Sequence, residues 1–225
     1  MKRMKADKKK CEVCGENSVV PVMYGLPTEE AFESARRGEI ALGGCIIDFD
    51  NPTIACTSCG WNNRYNFDHF IEAQSQKNGG LATALTELSA GAKTSHWIWY
   101  IFPQIGLGTS PQARRFAIGS ADEAVAYLRH RNLGTAYLEC LLEVAKFISE
   151  SDRPIIESLD TLFGSEIDRT KFISSITLFG EMATMYERIY EEIQFEHTAR
   201  IWAELQAKGL TPCSATLNYI SEDPD

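Results

Sequence analysis

The sequence predicts a mostly α-helical chain with two domains, a small β-rich unit followed by a larger all-α unit. Short β-branched runs lie between two Cys-x-x-Cys-Gly segments, at residues 11–15 and 56–60. After Tyr65 the apolar residues recur at helical spacing. Strands first and helices afterwards favour two separate units over one α/β sheet. We therefore expect a basic flexible segment at 1–10, a β unit at 11–65, an all-α domain at 66–210 and a polar tail at 211–225.

The β unit is predicted from three short runs and one helical insert. The runs lie at residues 19–22, 45–47 and 53–55, and they are rich in Val, Ile and Thr. Between them, Leu26-Pro27-Thr28 introduces a short helix with Ala31 and Phe32 on one face, and Gly38 ends it. This helix explains much of the distance in sequence between the two cysteine pairs.

The all-α domain is predicted from a series of amphipathic segments and their end signals. Ser120 with Glu123 forms a capping box, and Ser165 is a second N-cap. Gly91 and Gly164 are helix terminators. The expected helices cover residues 68–74, 81–90, 121–128, 137–148, 154–163, 166–179, 182–193 and 198–207.

Charge and hydropathy exclude some classes of protein. The net charge is −9, yet the first ten residues carry six basic side chains and one acid. That segment holds about +5 and leaves about −14 on the remainder, which disfavours broad nucleic-acid binding by the acidic body. The basic segment is either a solubilising tail or a contact for an anionic partner. The longest apolar run, residues 97–103, is too short to cross a membrane, and no apolar leader follows the start.

The cysteine pairs predict a metal site. Cys11, Cys14, Cys56 and Cys59 would supply four thiolates from two tight turns, and a tetrahedral thiolate set suits one Zn²⁺. Four thiolates leave no coordination position for a substrate or water, so the expected role is structural. Cys45 is expected to pack as a small apolar residue instead of binding the metal. Metal-binding cysteines favour a reducing compartment, and we expect a cytoplasmic protein.

The first part of the chain resembles a family of small bacterial zinc ribbons. The resemblance is carried by the two Cys-x-x-Cys-Gly segments, by residues 20–27 (Val-Pro-Val-Met-Tyr-Gly-Leu-Pro) and by Gly43-Gly44-Cys45. It covers about residues 8–65. It implies the same four cysteine ligands and a structural zinc, and it implies no activity.

Residues 94–104 are the richest in chemically useful side chains. They contain His96, Trp97, Trp99 and Gln104 beside Pro103. If the segment is a helix, the i, i+3 and i+4 spacing places His96, Trp99 and Tyr100 on one face. One interpretation is a buried aromatic helix with a hydrogen-bonded His. The other is a pocket wall, in which the rings stack on a planar ligand while His and Gln orient it.

A glycine-rich helix start follows this segment. Gly106 and Gly108 precede Ser110, a predicted N-cap, and Pro111 at the first helical position. Exposed N–H groups at a helix start bind anions, and Arg114 and Arg115 lie one turn further on. An ordinary helix start is the alternative. Ser174 and Ser175 either bond to carbonyls of their own helix or line a pocket.

These segments also resemble a second family, domain of unknown function 1810. The resemblance rests on Ser95-His96-Trp97-x-Trp99, Phe102-Pro103-Gln104, Gly106-x-Gly108 and Ser174-Ser175-x-Thr177-Leu178-Phe179. It covers about residues 66–180. It implies a compact all-α domain, and no catalytic residue can be carried over from it.

Two functions are consistent with the sequence. In the first, the α domain binds a small planar phosphorylated metabolite or a nucleotide, with the zinc ribbon as an accessory. Its candidate ligand-binding residues are Trp97, Trp99, Gln104, Gly106, Gly108, Ser110, Arg114, Arg115, Ser174 and Ser175. Whether the domain is an enzyme is left open, with His96 as the candidate general acid or base. In the second, the chain is a non-enzymatic adaptor whose ribbon docks a protein or nucleic-acid partner.

Overall fold

The computed structural model describes residues 9–45, 51–106, 108–189 and 192–222. The chain divides into two compact units, Met1–Asn66 and Phe67–Asp225. We call them the N-terminal unit and the helical unit. The mostly α architecture with a small β region is the predicted one.

The N-terminal unit is a three-stranded sheet with one helix in the connection between two of its strands. Its elements are β1 (Val19–Met23), α1 (Glu29–Arg36), β2 (Ala41–Leu42) and β3 (Ile54–Cys56). The strand order is β2-β1-β3, with β1 parallel to β2 and antiparallel to β3. The strands expected near 19–22 and 53–55 and the insert helix are therefore confirmed. In the run at 45–47, Cys45 lies in a bend, while residues 46 and 47 fall outside the described part of the chain.

The core of the N-terminal unit is small and built around cysteines. Cys11, Val19 and Cys56 are buried, and Ile54, Trp61 and two further residues pack against them. A core of this size buries little apolar surface, so such units usually depend on a metal or disulfides for stability.

The helical unit contains ten helices and two short strands among its described residues. They are α2 (Asp68–Gln74), α3 (Leu81–Ser89), α4 (Ile98–Ile101), β4 (Gln104–Ile105), α5 (Pro111–Arg115), β5 (Ala117–Ile118), α6 (Ala121–Arg129), α7 (Arg131–Glu150), α8 (Ile155–Phe163), α9 (Glu166–Tyr186), α10 (Ile193–Ala207) and α11 (Ser214–Glu222). The parallel β4–β5 pair, with Ile105 opposite Ile118, was not predicted. None of the helices in the described ranges is long and apolar enough to span a bilayer.

Helix ends follow the predicted signals. The side chains of Ser110, Ser120 and Ser165 each accept a hydrogen bond from the backbone N–H three residues on, at the starts of α5, α6 and α9. Gly164 ends α8 in the left-handed conformation, with φ of 70°. Local sequence therefore specifies these boundaries.

Helix α9 is longer than predicted, because it continues through Gly180 to Tyr186. The expected break between 179 and 182 does not exist, and residues 182–186 belong to α9, so the separate helix predicted to begin at 182 is wrong. A Cβ on Gly180 would lie 2.4 Å from Cγ of Trp202 on α10. The glycine therefore lets the indole of α10 approach the backbone of α9.

The segment expected to be a polar tail, 211–225, is helical over residues 214–222. It holds α11, which packs against α9. Thr216 of α11 is fully buried, and its hydroxyl lies 2.9 Å from that of Ser174. Tyr219 of α11 donates a hydrogen bond to the carbonyl of Gly119, next to β5. A polar composition concealed this helix, because only one of its faces is covered.

Aromatic rings form the centre of the helical unit. The ring of Phe102 meets those of Tyr137, Phe163 and Phe172 edge-on, at centroid distances of 5.6, 6.3 and 5.0 Å. Such edge-to-face pairs are favoured by the ring quadrupoles. This cluster fixes the end of α4, just before β4.

Candidate metal centre and ligand cleft

The four predicted cysteine ligands converge on one point. The Sγ atoms of Cys11, Cys14, Cys56 and Cys59 all lie within 4.8 Å of one another. The Cys11–Cys59 and Cys14–Cys56 sulfur pairs are 3.7 and 3.6 Å apart. A tetrahedral site with Zn–S bonds of about 2.3 Å has sulfur–sulfur edges of about 3.8 Å. The donor set and its spacing thus fit a four-coordinate metal ion.

Two tight turns hold the cysteines in place. Gly15 N–H donates to the carbonyl of Cys11 and Gly60 N–H to that of Cys56, both at 3.0 Å. Both glycines have positive φ, 77° and 78°, which favours glycine. The turns therefore present two sulfurs each without strain.

The sulfur of Cys56 receives the most hydrogen bonds that favour its thiolate. Burial alone would raise its pKa, but the Ser18 hydroxyl at 3.0 Å and the N–H groups of Cys59 and Ser58 at 3.4 Å lower it to about 6. Burial raises the pKa of Cys11 and Cys59. Ser18 was not predicted, because no ligand motif includes it. Cys45 is exposed and lies outside the four-sulfur cluster.

The aromatic segment of the helical unit is mostly not helical. Helix α4 begins only at Ile98, so His96 precedes it, and His96 is exposed. Trp97 is fully buried, whereas Trp99 is half-buried. The segment is therefore a turn into a single helical turn, and its two tryptophans differ in environment.

Glu87 on α3 stabilises the turn at residues 94–97 through hydrogen bonds. Its carboxylate accepts hydrogen bonds from the N–H and hydroxyl of Thr94 (2.8 and 2.7 Å) and of Ser95 (3.0 and 2.5 Å). It also accepts one from Nε1 of Trp97 at 2.7 Å. Burial would raise the pKa of Glu87, but these bonds outweigh it and lower the pKa to about 2. Sequence reasoning missed this acid, because no pattern links α3 to residues 94–97.

Two lysines and one aspartate form a largely buried charged cluster beside Trp97 and Trp99. Asp168 accepts from Nζ of Lys93 at 2.5 Å and from Nζ of Lys171 at 2.9 Å. The side chains of Lys93, Asp168 and Lys171 are only 5%, 16% and 15% exposed. Burial would raise the pKa of Asp168, but the two ammonium groups lower it. None of these three residues was among the candidate site residues predicted from the sequence.

Each lysine of this cluster also lies over an indole. Nζ of Lys93 is 5.2 Å from the ring centroid of Trp97, and Nζ of Lys171 is 3.7 Å from that of Trp99. Cation–π attraction is favourable at these distances. Each indole therefore has one ammonium group of the charged cluster over its face.

A shallow cleft, of about 250 Å³ when the space open to solvent is included, lies next to Trp99. Its lining residues are Trp99, Gln104, Ile105, Gly108, Ala113 and Phe116. Three of them, Trp99, Gln104 and Gly108, belong to the predicted ligand-binding set. A Cβ on Gly108 would lie 2.3 Å from Cβ of Ala113, so the glycine lets the loop close against α5.

The other predicted site residues lie elsewhere or serve local structure. Ser110 caps α5, Arg114 donates to the carbonyl of Thr109 at 3.0 and 2.7 Å, and Arg115 lies over the ring of Phe116. Ser174 is paired with Thr216, and Ser175 is fully buried. The predicted residues absent from the cleft lining are His96, Trp97, Gly106, Ser110, Arg114, Arg115, Ser174 and Ser175.

One titratable side chain near the cleft was not predicted. The imidazole of His69 on α2 stacks on the ring of Phe116, with centroids 5.7 Å apart. Burial and then the charge of Arg115 lower its pKa. His69 is thus more readily neutral than an ordinary histidine, and it contacts a residue that lines the cleft.

Comparisons with known proteins agree with the predicted resemblance of the helical unit. A family model described as "Protein of unknown function (DUF1810)" matches residues 64–200. The chain is also similar to the crystal structure of the conserved hypothetical protein Rv1873 from Mycobacterium tuberculosis, with 30% sequence identity and a TM-score of 0.54. That match covers 71% of this chain and 99% of the other. No curated protein matches the chain.

Proposed function

The chain belongs to the DUF1810 family, and we propose that its helical unit binds a small planar phosphorylated metabolite or nucleotide in the cleft beside Trp99. The observation that carries the proposal is the convergence of Trp99, Gln104 and Gly108 on one cleft. The tryptophan supplies a stacking surface, the glutamine supplies an amide that can orient the ligand, and the glycine lets the ligand approach the backbone closely.

Each lining residue has a distinct use in such a site. The half-buried indole of Trp99 offers a flat apolar surface for a ring. The amide of Gln104 carries both a donor and an acceptor, which can distinguish one edge of a heterocycle from another. Small-molecule sites commonly combine an aromatic wall with a few polar groups of this kind.

The volume of the cleft limits what it encloses. The figure of about 250 Å³ includes space that is open to solvent, so the enclosed part is far smaller than the pockets of about 300 Å³ or more that surround a drug-sized ligand. The cleft would therefore contact one face of a planar ring, and the rest of the ligand, including its phosphate, would lie outside it.

The proposal concerns binding and does not include a catalytic step. The six residues that line the cleft carry no side chain that ionises near neutral pH. The role of His96 as a general acid or base stays a prediction, and His96 is exposed and absent from the lining.

The four cysteines of the N-terminal unit are proposed to hold one structural Zn²⁺. The sulfur–sulfur distances of 3.6 and 3.7 Å support a tetrahedral ion, and an all-thiolate set favours zinc over harder cations. The metal would join the two cysteine turns across a core too small to be stable alone.

Native mass spectrometry of the full chain tests the ligand proposal. We expect an added mass beyond that of zinc, which is reduced at least severalfold in Gln104→Leu and Trp99→Leu. Gln112→Leu is the matched control, because Gln112 is an exposed α5 residue outside the lining. The proposal fails if wild-type protein carries no small molecule and if AMP, as a planar phosphorylated probe, does not change its tryptophan fluorescence.

A second candidate function, docking of a protein partner by the N-terminal unit, has one observation in its favour. Leu26 is 86% exposed and Phe32 is 46% exposed, which is unusual for large apolar side chains in one small unit. A copurifying protein that is lost in Leu26→Ser with Phe32→Ser would support it. Leu142→Ser, at an exposed position of the helical unit, is the control. Retention of the partner by the double variant would contradict it.

A further inference from the structure

We infer that Lys171 makes the cleft selective for anionic ligands, acting through the indole of Trp99, and that Asp168 limits this selectivity. The inference deepens the proposed function, on which it rests for the location of the ligand. It assigns the selectivity for ligand charge to Lys171, a residue outside the cleft lining and outside the glycine-rich loop.

The distance from Lys171 to the cleft is short enough for its charge to act there. Its Nζ lies 3.7 Å from the centroid of the Trp99 ring, and the same ring lines the cleft. A ligand atom in contact with the ring adds about 4 Å, so it lies within about 8 Å of the ammonium. That is about one Debye length at physiological ionic strength. Because the intervening space is filled by the indole, solvent screening is weaker still.

The positive charge of Lys171 is only partly neutralised. Asp168 is shared between two ammonium groups, and the one on Lys93 is the closer, at 2.5 Å against 2.9 Å. Lys93 also donates to the carbonyl of Ser95. Asp168 therefore divides its charge, and its shorter contact is with Lys93, which lies over Trp97 and not over the cleft-lining Trp99.

The nearby acid does not change this balance at the cleft. Glu87 is bonded to Thr94, Ser95 and Trp97, on the side of the cluster where Lys93 lies over Trp97. None of the six lining residues is acidic. In a chain of net charge −9, a positive site of this kind distinguishes the cleft from its surroundings.

Charged quenchers of tryptophan fluorescence measure this local potential without any ligand. The chain has four tryptophans, of which Trp97 and Trp202 are buried. In a Trp61→Phe background, collisional quenching therefore reports mainly on Trp99. Iodide, caesium and neutral acrylamide are compared, each quenching constant is divided by its value for free N-acetyltryptophanamide, and acrylamide corrects for changes in exposure.

The expected result is stronger quenching of Trp99 by iodide than by caesium. Lys171→Met should lower the acrylamide-corrected iodide constant by about twofold or more, which is the scale expected of one partly screened charge. Lys171→Arg, which keeps the charge, should match wild type, and Asp168→Asn should raise the iodide constant. A purely structural cluster would give Lys171→Met and Asp168→Asn changes of the same sign.

The inference is overturned if caesium quenches as well as iodide, or if Lys171→Met leaves the iodide constant unchanged. Should Asp168→Asn fail to fold, the Lys171→Met and Lys171→Arg pair decides alone. A second measurement compares AMP with adenosine, and we expect wild type to prefer AMP about tenfold and Lys171→Met to lose most of that preference. If neither compound binds while iodide is still preferred, the nucleotide proposal fails and the charge assignment stands.

Discussion

The carboxylate of Glu87 and the indole Nε1 of Trp97 are joined by a 2.7 Å hydrogen bond between α3 and the turn before α4. Trp97 has no exposed surface, so this bond satisfies a donor that has no access to water. The same carboxylate binds the backbone N–H groups of Thr94 and Ser95. One acid thereby fixes the path of the chain into the segment that carries Trp99.

Replacing Glu87 by Gln should destabilise the helical unit by about 2 kcal/mol. The amide keeps one oxygen acceptor and brings an NH₂ group toward donors, so at least one donor loses its partner. Urea unfolding followed by tryptophan fluorescence measures the loss. Glu72→Gln is the control, since Glu72 is 73% exposed and makes only a 3.5 Å contact with Arg115. Equal stability of the two variants would contradict the role given to Glu87.

The same acid should contribute a specific pH dependence of stability. Its pKa is about 2 in the folded chain against a usual value of 4.5, so the folded state favours the ionised form. The resulting stabilisation is complete above the unfolded pKa and is lost as pH falls through the folded pKa. The difference in unfolding free energy between wild type and Glu87→Gln should therefore be constant above pH about 5 and shrink toward pH 2. A difference that does not change with pH would contradict the lowered pKa.

The cysteine cluster should bind one zinc per chain. Cys56→Ser is expected to lose it, because a hydroxyl is a poor substitute for a thiolate ligand. Cys45→Ser should retain it, because Cys45 lies outside the cluster. Metal analysis by mass spectrometry of both purified variants measures the content. Zinc retained in Cys56→Ser, or lost in Cys45→Ser, would contradict the ligand set.

The hydroxyl pair of Ser174 and Thr216 should couple α9 to α11. Thr216→Val leaves the buried Ser174 hydroxyl unpaired and should cost about 1–3 kcal/mol. Adding Ser174→Ala removes the other partner and should recover part of that loss. The double-mutant cycle, measured by urea unfolding, gives the coupling energy, and strict additivity of the two changes would show that the pair does not interact.

The parts of this molecule that sequence predicts are those specified by neighbouring residues. The cysteine ligands lie in two local turns, and the N-caps at Ser120 and Ser165 need only the next three residues. Trp99, Gln104 and Gly108 fall within ten positions of one another. The short segment that contains them, from α4 to the loop that precedes α5, therefore places all three at one cleft.

The parts that sequence does not predict depend on contacts between distant segments. Lys93 meets Asp168 across 75 positions of sequence, and neither carries a local signal of that pairing. His96 and Trp97 are adjacent, yet one is exposed and the other buried. The difference in exposure depends on Glu87 on α3. Its carboxylate accepts a hydrogen bond from the indole of Trp97, so that ring can be buried without losing the partner of its N–H.

Because Trp202 packs closely on Gly180, the substitutions tolerated at one position depend on the residue at the other. A methyl group at 180 would collide with the indole, so a change there is tolerated only after the ring at 202 becomes smaller. Among relatives, the two columns should therefore vary as a pair, with glycine accompanying tryptophan and larger residues accompanying smaller ones. Such a paired signature would identify this contact between α9 and α10 in aligned relatives.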